Sequence, residues 1–289
     1  MSKFADLWRK LNTVIRRDSL ASIAKPIVPR PLRGSQFDEF PLELVIRFDD
    51  NRFGPNDFYR RVREHAAALG VDPEVALEEH AGERVSLDYL VDKYEFCGYP
   101  SEVVGIGGIR ATFVGGVERA RYAGLTIEGG AALNADADAW VRLLADVPGF
   151  LQAYLIAREF DFWQNAERPS FYQSFGRSLA GLTFKPNGLP PPHFEEIVDT
   201  SQHPGRLIPR RPLVEVVASQ LWLSDRFWTM VGKTRASFTA DPTVAAVTDF
   251  APGIVKLTAA AEPFTDGASA ATLDALRLAI YGETTELKS

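Results

Sequence analysis

The sequence predicts an α+β protein, in which two βα-containing halves share a mixed or antiparallel sheet with flanking helices. Alternating apolar and polar residues over Leu42–Phe48 are typical of a half-buried strand, and apolar residues at helical spacing follow directly. The same order recurs in the second half, where a long apolar run at 213–223 precedes a helical pattern rich in aromatic residues. Between them, β-branched residues broken by glycines at 103–116 favour further strands.

The composition is that of a globular protein, since 46% of the 289 residues are hydrophobic and 24% are charged. No run approaches the ~18 apolar residues that span a bilayer, and the N-terminus lacks the apolar stretch of a secretory signal. The single cysteine, Cys97, excludes an intramolecular disulfide and fits a reducing compartment. We therefore expect a cytoplasmic protein without stable membrane association.

Charge is distributed unevenly along the chain. Residues 1–34 contain eight basic and two acidic side chains, a net charge of +6. Removing these from the totals of 32 basic and 38 acidic residues leaves 24 and 36, so the remainder carries −12. An acidic body repels nucleic acid and favours basic protein partners, although charge far from zero also serves solubility alone. We expect no direct binding of nucleic acid.

Residues 1–40 predict a basic amphipathic helix followed by a proline-rich linker, because apolar side chains recur at helical spacing between Phe4 and Ile15 with arginine and lysine among them. Such a helix can dock onto its own domain or lie on an anionic membrane, and we favour docking or a partly disordered tail over the membrane. The rest of the chain is predicted to divide into an N-terminal half, 41–165, and a C-terminal half, 166–289.

In the N-terminal half, Asn56 is predicted to cap a helix that ends at Gly70. Asp72 and Pro73 predict the start of another short helix. Residues 85–96 fit helical spacing but are rich enough in aromatic residues to form a strand, and we favour a helix.

The glycine-containing run at 103–116 does not fit a dinucleotide-binding turn, because Arg110 stands where the third glycine belongs. We expect strands continuing to Ile127. Asn134 or Asp136 is predicted to cap the next helix. The aromatic residues that follow, at 150–163, are interpreted as core or as the seam between layers.

In the C-terminal half, residues 213–223 predict one long strand, and Ser224 or Asp225 is predicted to cap the helix after it. Ile254–Thr258 predicts a further strand. The final helix is expected to begin after Ser269.

A proline-rich loop, 187–206, is the most unusual stretch of the second half. Asn187 and Gly188 predict a tight turn, and the prolines at 190–192 predict an extended polyproline II segment. A turn or two of helix is predicted over 193–198. A loop this stiff can brace the structure or present a recognition surface, because rigidity lowers the entropic cost of binding.

The residues that could carry chemistry cluster in this loop, but no motif organises them. His193, Asp199 and His203 match no zinc signature, and no serine stands in a nucleophile elbow. We therefore expect a non-enzymatic protein without a cofactor or a metal. The alternative is an enzyme with an unfamiliar site around His193, Asp199, His203 and Arg206. The arginines at 206, 210 and 211 are predicted to pair with Glu195 or Glu196.

A set of short motifs, taken in order, resembles bacterial polymorphic-toxin immunity proteins, most nearly immunity protein family 52. The resemblance covers residues from about Leu42 to the C-terminus and excludes the first ~40. The motifs that carry it are Phe162-Trp163-Gln164-Asn165, Pro169, Tyr172, Asn187-Gly188-Leu189-Pro190-Pro191-Pro192, Asp199-Thr200-Ser201, Pro204-Gly205-Arg206 and Trp222-Leu223.

This resemblance implies an antidote that binds a cognate protein toxin, often a nuclease, delivered between bacteria as in type VI secretion. Charge and exposure, rather than any known contact map, select the expected toxin-binding residues. These are Glu195, Glu196, Asp199, His203 and Arg206. A scaffold protein recruited through the basic N-terminal helix stays an alternative, and self-association as a homodimer stays open.

Overall fold

The computed structural model describes residues 40–49, 53–69, 74–77, 83–85, 102–106, 109–114, 123–210, 212–235, 245–265 and 268–282. The predicted N-terminal helix and linker, Cys97 and most of 85–96 lie outside these residues. Gly34–Ser289 forms one compact unit. No helix in the described part of the chain is long and apolar enough to cross a bilayer.

Six helices occur in the described residues, and with the strands they confirm the predicted α+β class. The helices are α1 Pro55–Leu69, α2 Ala131–Leu144, α3 Arg158–Asn165, α4 Pro169–Ser174, α5 Asp225–Met230 and α6 Ala270–Tyr281. The strands are β1 Leu42–Phe48, β2 Glu74–Leu77, β3 Glu83–Val85, β4 Glu102–Ile106, β5 Ile109–Val114, β6 Ala123–Gly129, β7 Phe150–Ala157, β8 Phe184–Pro186, β9 Glu196–Val198, β10 Ile208–Arg210, β11 Leu213–Glu215, β12 Gln220–Ser224, β13 Ala246–Ala251 and β14 Ile254–Thr258.

Ten of the strands form one antiparallel sheet in the order β13-β14-β12-β7-β1-β6-β5-β4-β2-β3. β8 pairs with β9, and β10 with β11, in two small sheets. In the large sheet, β7 lies between β1 and β12, so strands from both predicted halves share one hydrogen-bonded ladder.

Strands β7 and β12 of this sheet are buried on both faces, and an apolar cluster lies on each side. On one face, Leu44 and Ile46 of β1 pack with Trp140 of α2. On the other, Tyr154 of β7 and Phe160 of α3 pack with side chains of α5 and α6. The predicted placement of the aromatic run in the core is thus confirmed. Burying each large apolar side chain contributes about 1.5–3 kcal/mol.

Three predictions in the N-terminal half differ from the structure. Residues 74–77 are a strand, not a helix, because β3 and β4 supply backbone partners on both sides. Helix α1 is confirmed, but it begins at Pro55, before the predicted cap Asn56. Helix α2 begins at Ala131, so neither Asn134 nor Asp136 caps it. Instead, the Asn134 side chain accepts a hydrogen bond from Gln220 Nε2 at 3.0 Å.

In the C-terminal half, the strand predicted over 213–223 is interrupted. Gln152 donates to Val214 O at 2.9 Å and accepts from Val214 N at 3.2 Å, so a side chain takes the place of a neighbouring strand. Ser224 does cap α5, where its Oγ accepts from Phe227 N at 3.2 Å. Strand β14 is confirmed, and α6 begins directly after Ser269.

Candidate functional site: the proline hairpin

Strands β8 and β9 form an antiparallel hairpin, 184–198, which we call the proline hairpin. Its register pairs Phe184 with Val198 and Pro186 with Glu196. The helical turn predicted over 193–198 is therefore wrong. The prolines also do not extend the chain, because His193 N donates to Pro190 O at 2.9 Å and closes a turn around the cis Pro191–Pro192 bond.

Asn187 organises the end of this hairpin through its backbone and its side chain. Its backbone N donates to Glu195 O at 2.9 Å, and its Nδ2 donates to His193 O at 2.8 Å. Its Oδ1 accepts from Leu189 N at 3.1 Å. Gly188 has a φ of 76°, a conformation that favours glycine. The loop is consequently fixed by its own hydrogen bonds rather than by packing.

Residues 188–196, which we call the hairpin tip, are all exposed. Leu189 is 54% exposed and Phe194 is 55% exposed, although both side chains are large and apolar. With Phe184, they make up three of the six exposed large hydrophobic residues in the described part of the chain. Concentration on one short loop is typical of an interaction surface, whereas scattered exposed residues are ordinary.

The following residues, 198–207, which we call the hairpin base, are tied to the rest of the molecule. Val198 is buried with Phe162, Tyr172 and Phe175, and its N donates to Glu167 O at 2.7 Å. These contacts anchor β9 to α3 and α4.

Two amides at the end of α3 hold the second part of the hairpin base. Gln164 Oε1 accepts from Gly205 N at 2.9 Å, and Asn165 Oδ1 accepts from Leu207 N at 2.6 Å. A Cβ at Gly205 would lie 2.5 Å from Phe160 Cζ, so only glycine fits without a shift. Residues separated by 41 and 42 positions in the sequence therefore meet in space.

Arg277 of α6 completes the attachment. Its Nη2 donates to Pro204 O at 3.1 Å and to Arg206 O at 2.6 Å. Its Nη1 lies 3.5 Å from Glu215 Oε2, and Arg210 contacts the other carboxylate oxygen of Glu215. Glu215 and Arg277 are both buried, so this ion pair is desolvated. The bracing role that was predicted for the proline-rich loop therefore applies to the hairpin base.

The structure separates the residues expected to bind a toxin. Asp199 accepts from Lys185 Nζ at 2.9 Å and from Ser201 N at 3.0 Å, and these bonds hold the pKa of Asp199 well below its usual range. His203 Nδ1 lies 3.3 Å from Gln164 O. Both side chains therefore make contacts within the chain. The alternative enzymatic site would also need His193, which lies at the hairpin tip.

Glu195 and Glu196 are exposed, and no described residue makes an ion pair with either carboxylate. The predicted pairing with Arg206 or Arg210 is wrong, because Arg210 contacts Glu215 and the Arg206 guanidinium has no ion-pair partner among the described residues. Arg211 lies outside them. No group of three or more metal-ligating side chains occurs in the part of the chain that the structure describes.

A groove of about 560 Å³ runs between the proline hairpin and the start of α4. Its lining includes Glu167, Arg168, Leu189, Phe194 and Ile197. None of these five residues was predicted to bind a partner. The sequence does contain an indication for Leu189 and Phe194. Large apolar side chains within a short turn of proline and glycine cannot easily reach the core, so their exposure could have been predicted.

A second polar cluster lies at the start of α3. Burial, together with the nearby Asp161, raises the pKa of Glu43 to about 7. Burial also raises the pKa of Asp161 to about 6. Asp161 Oδ1 accepts from Asn165 Nδ2 at 3.0 Å, so this cluster is linked to the amide that holds Leu207.

Comparison with known proteins gives a similar fold but no family. No protein-family model matches the chain, and no curated protein matches it in sequence. Among solved structures, the Pseudomonas aeruginosa T6SS protein PA0821 is similar, with a TM-score of 0.50 and 12% identity over 84% of this chain and 73% of that chain. The similarity is one of fold, and the resemblance to immunity protein family 52 stays a prediction.

Proposed function

We propose that this chain is an immunity protein, which neutralises a cognate secreted bacterial toxin by stoichiometric binding and occlusion of the toxin's active site. The observation that carries the proposal is the hairpin tip. There, Leu189 and Phe194 stand exposed on a loop that is held in shape by its own hydrogen bonds.

The physical case for binding rests on preorganisation and on the kind of side chain presented. A loop already fixed in the free protein loses little conformational entropy when a partner binds it. A few side chains supply most of the binding energy of an interface, and an aromatic or aliphatic side chain that enters a pocket on the partner is a common anchor. The tip offers both properties.

Charge supports a basic partner. Glu195 and Glu196 directly follow Phe194, and residues 35–289 carry a net charge of −12. A nuclease toxin presents cations along its substrate groove, so acidic side chains at that groove attract it and compete with nucleic acid. We therefore assign toxin binding to the side chains of Glu195 and Glu196. The side chains of Asp199 and His203 and the backbone carbonyl of Arg206 instead hold the hairpin base.

The setting is proposed from the fold comparison together with the sequence resemblance. PA0821 is a type VI secretion system protein by its name. A chain with that fold and the motifs of toxin immunity proteins fits the antidote of a delivered toxin. This antidote would act in the cytoplasm of the bacterium that makes it.

The test is co-expression with the toxin encoded by the adjacent gene. We expect the wild-type chain to restore survival and to form a stable complex of fixed stoichiometry in size-exclusion chromatography. Replacing both tip anchors, Leu189→Ser with Phe194→Ser, should weaken binding about 100-fold, since two anchors of this kind contribute about 2–3 kcal/mol.

Leu278→Ser on α6 is the matched control, because Leu278 is also 54% exposed but belongs to a different element from the hairpin tip. This variant should protect cells as the wild type does. Protection by substoichiometric amounts, or undiminished binding by the double variant, would contradict the proposal.

A further inference from the structure

The register of the proline hairpin fixes which backbone groups point away from it. Asn187 N donates to Glu195 O and Asp199 N donates to Thr183 O, so alternate residues of β9 point inward to β8. The residues between them, Glu196 and Val198, direct their N–H and C=O groups to the outer edge of β9.

The two outer edges of the hairpin are not equivalent. On β8, Pro186 has no N–H to offer, which blunts that edge. On β9, Val198 N is taken by Glu167 O at 2.7 Å. Glu196 is exposed, and its backbone N–H has no backbone partner among the described residues. On the outer edge of β9, the N–H of Val198 is therefore paired, whereas the N–H of Glu196 is available to a partner strand.

The groove lies beside this open position. Glu167, which caps the occupied part of the edge, also lines the groove, together with Ile197 and Glu195 on one face of β9. A strand added along the edge would place the residue opposite Glu196 on the Glu196 side, and its two neighbours on the Ile197 side. Charge complementarity then favours a basic residue opposite Glu196. On the other face, it favours an apolar residue beside Ile197 and a basic residue beside Glu195.

We propose that the toxin binds by strand addition, in which an extended basic toxin segment, with an apolar side chain beside Ile197, pairs with the outer edge of β9 at Glu196. This inference rests on the proposed function and specifies its binding mode. Main-chain hydrogen bonds give such a complex its alignment, and the groove selects the side chains.

The first experiment measures amide hydrogen exchange of the full chain, free and bound to the adjacent-gene toxin inactivated at its catalytic residue. We expect the Glu196 amide to exchange at least about 10-fold more slowly in the complex. The Val198 amide is the internal control, because it already donates to Glu167 O and should be protected in both states. A stable complex in which the Glu196 amide exchanges as fast as in the free chain overturns strand addition.

The second experiment separates the backbone of Glu196 from its side chain. Glu196→Ala keeps the N–H and removes the carboxylate, whereas Glu196→Pro removes both. Proline is tolerated at a hairpin position whose backbone nitrogen points outward, since Pro186, the cross-strand partner of Glu196, is at such a position. We expect Glu196→Pro to bind the toxin at least about 10-fold more weakly than Glu196→Ala, and equal affinity would argue against the pairing.

The two proposals fail differently. If the wild-type chain neither binds nor protects against the toxin, the proposed function is wrong and strand addition falls with it. If the wild type binds while the Glu196 amide and the proline variant show no effect, only strand addition is wrong.

Discussion

Residues 188–196 and residues 198–207 follow one another in the chain, yet different forces hold them. The hairpin tip is exposed throughout and is shaped by hydrogen bonds within itself. The hairpin base is fixed by Gln164, Asn165 and Arg277, which belong to two distant helices. Proline and glycine make both parts stiff, but only the base is attached to the core. The difference teaches that stiffness in a sequence can serve two purposes within one loop.

The largest effect on stability is expected from Arg277→Met, which breaks the attachment of the base. The variant removes donors from Pro204 O and Arg206 O and leaves buried Glu215 with Arg210 as its remaining described cation. We expect the free energy of unfolding to fall by about 3 kcal/mol, measured by urea denaturation. Arg206→Met is the control and should change it by less than about 0.5 kcal/mol. Equal losses would show that the ion pair does not anchor the base.

A pair of glycine substitutions compares the tip and the base directly. Gly205→Ala places a Cβ 2.5 Å from Phe160 Cζ and 2.8 Å from Gln164 Cγ, so we expect a loss of about 2–3 kcal/mol from overpacking. Gly188→Ala meets open space, and its only cost is the strain of a φ of 76°, about 1 kcal/mol. Thermal unfolding of both variants tests the order. A larger loss for Gly188→Ala would reverse our assignment of the two parts.

The smallest of these effects concerns pH and the carboxyl groups beneath the base. The folded pKa values of about 7 for Glu43 and about 6 for Asp161 lie above the ordinary values of 4.5 and 3.8. The folded state therefore binds more protons than the unfolded state across this window, and stability should fall as the pH rises through it, by on the order of 2 kcal/mol. Charged and titratable groups facing the pair are Arg47, Arg110, Glu128, Tyr154 and Arg158.

Urea denaturation at about pH 5.5 and about pH 8 measures this dependence. Glu43→Gln cannot ionise, so the difference between the two pH values should shrink in that variant. Asp199 affects stability with the opposite pH dependence, because its pKa is lowered in the folded state. Its contribution to stability is lost only as the pH falls below its ordinary pKa of 3.8. An unchanged pH dependence in Glu43→Gln would assign the effect to other groups.

Local signals predicted the parts of the fold that local physics decides. Alternation predicted β1, and the hydroxyl of Ser224 predicted the start of α5. Predictions were wrong where distant groups decide the outcome. The Gln152 side chain takes hydrogen-bonding groups of Val214 that a neighbouring strand would otherwise pair with. Residues 74–77 form a strand because β3 and β4 pair with them on either side. Neither partner is visible from spacing in the sequence.

The location of the candidate site in the sequence could be predicted, but the role of each of its side chains could not. Turn chemistry indicated a stiff loop at 187–206, and the structure keeps Glu195 and Glu196 exposed there. Asp199 and His203 were expected to face a partner, yet Lys185 and Gln164 engage them. Those contacts depend on how β8 and α3 approach the loop, which is a tertiary property.

The position of β7 affects how the chain can be divided in the laboratory. This strand takes β1 along one side and β12 along the other, so a recombinant piece ending after α3 would leave Gln152 and Leu155 without their neighbours in β12. Bare strand edges recruit other molecules and promote aggregation. Separate pieces should therefore be produced in the same cell so that they can join, while affinity tags and fluorescent labels are better tolerated on peripheral turns.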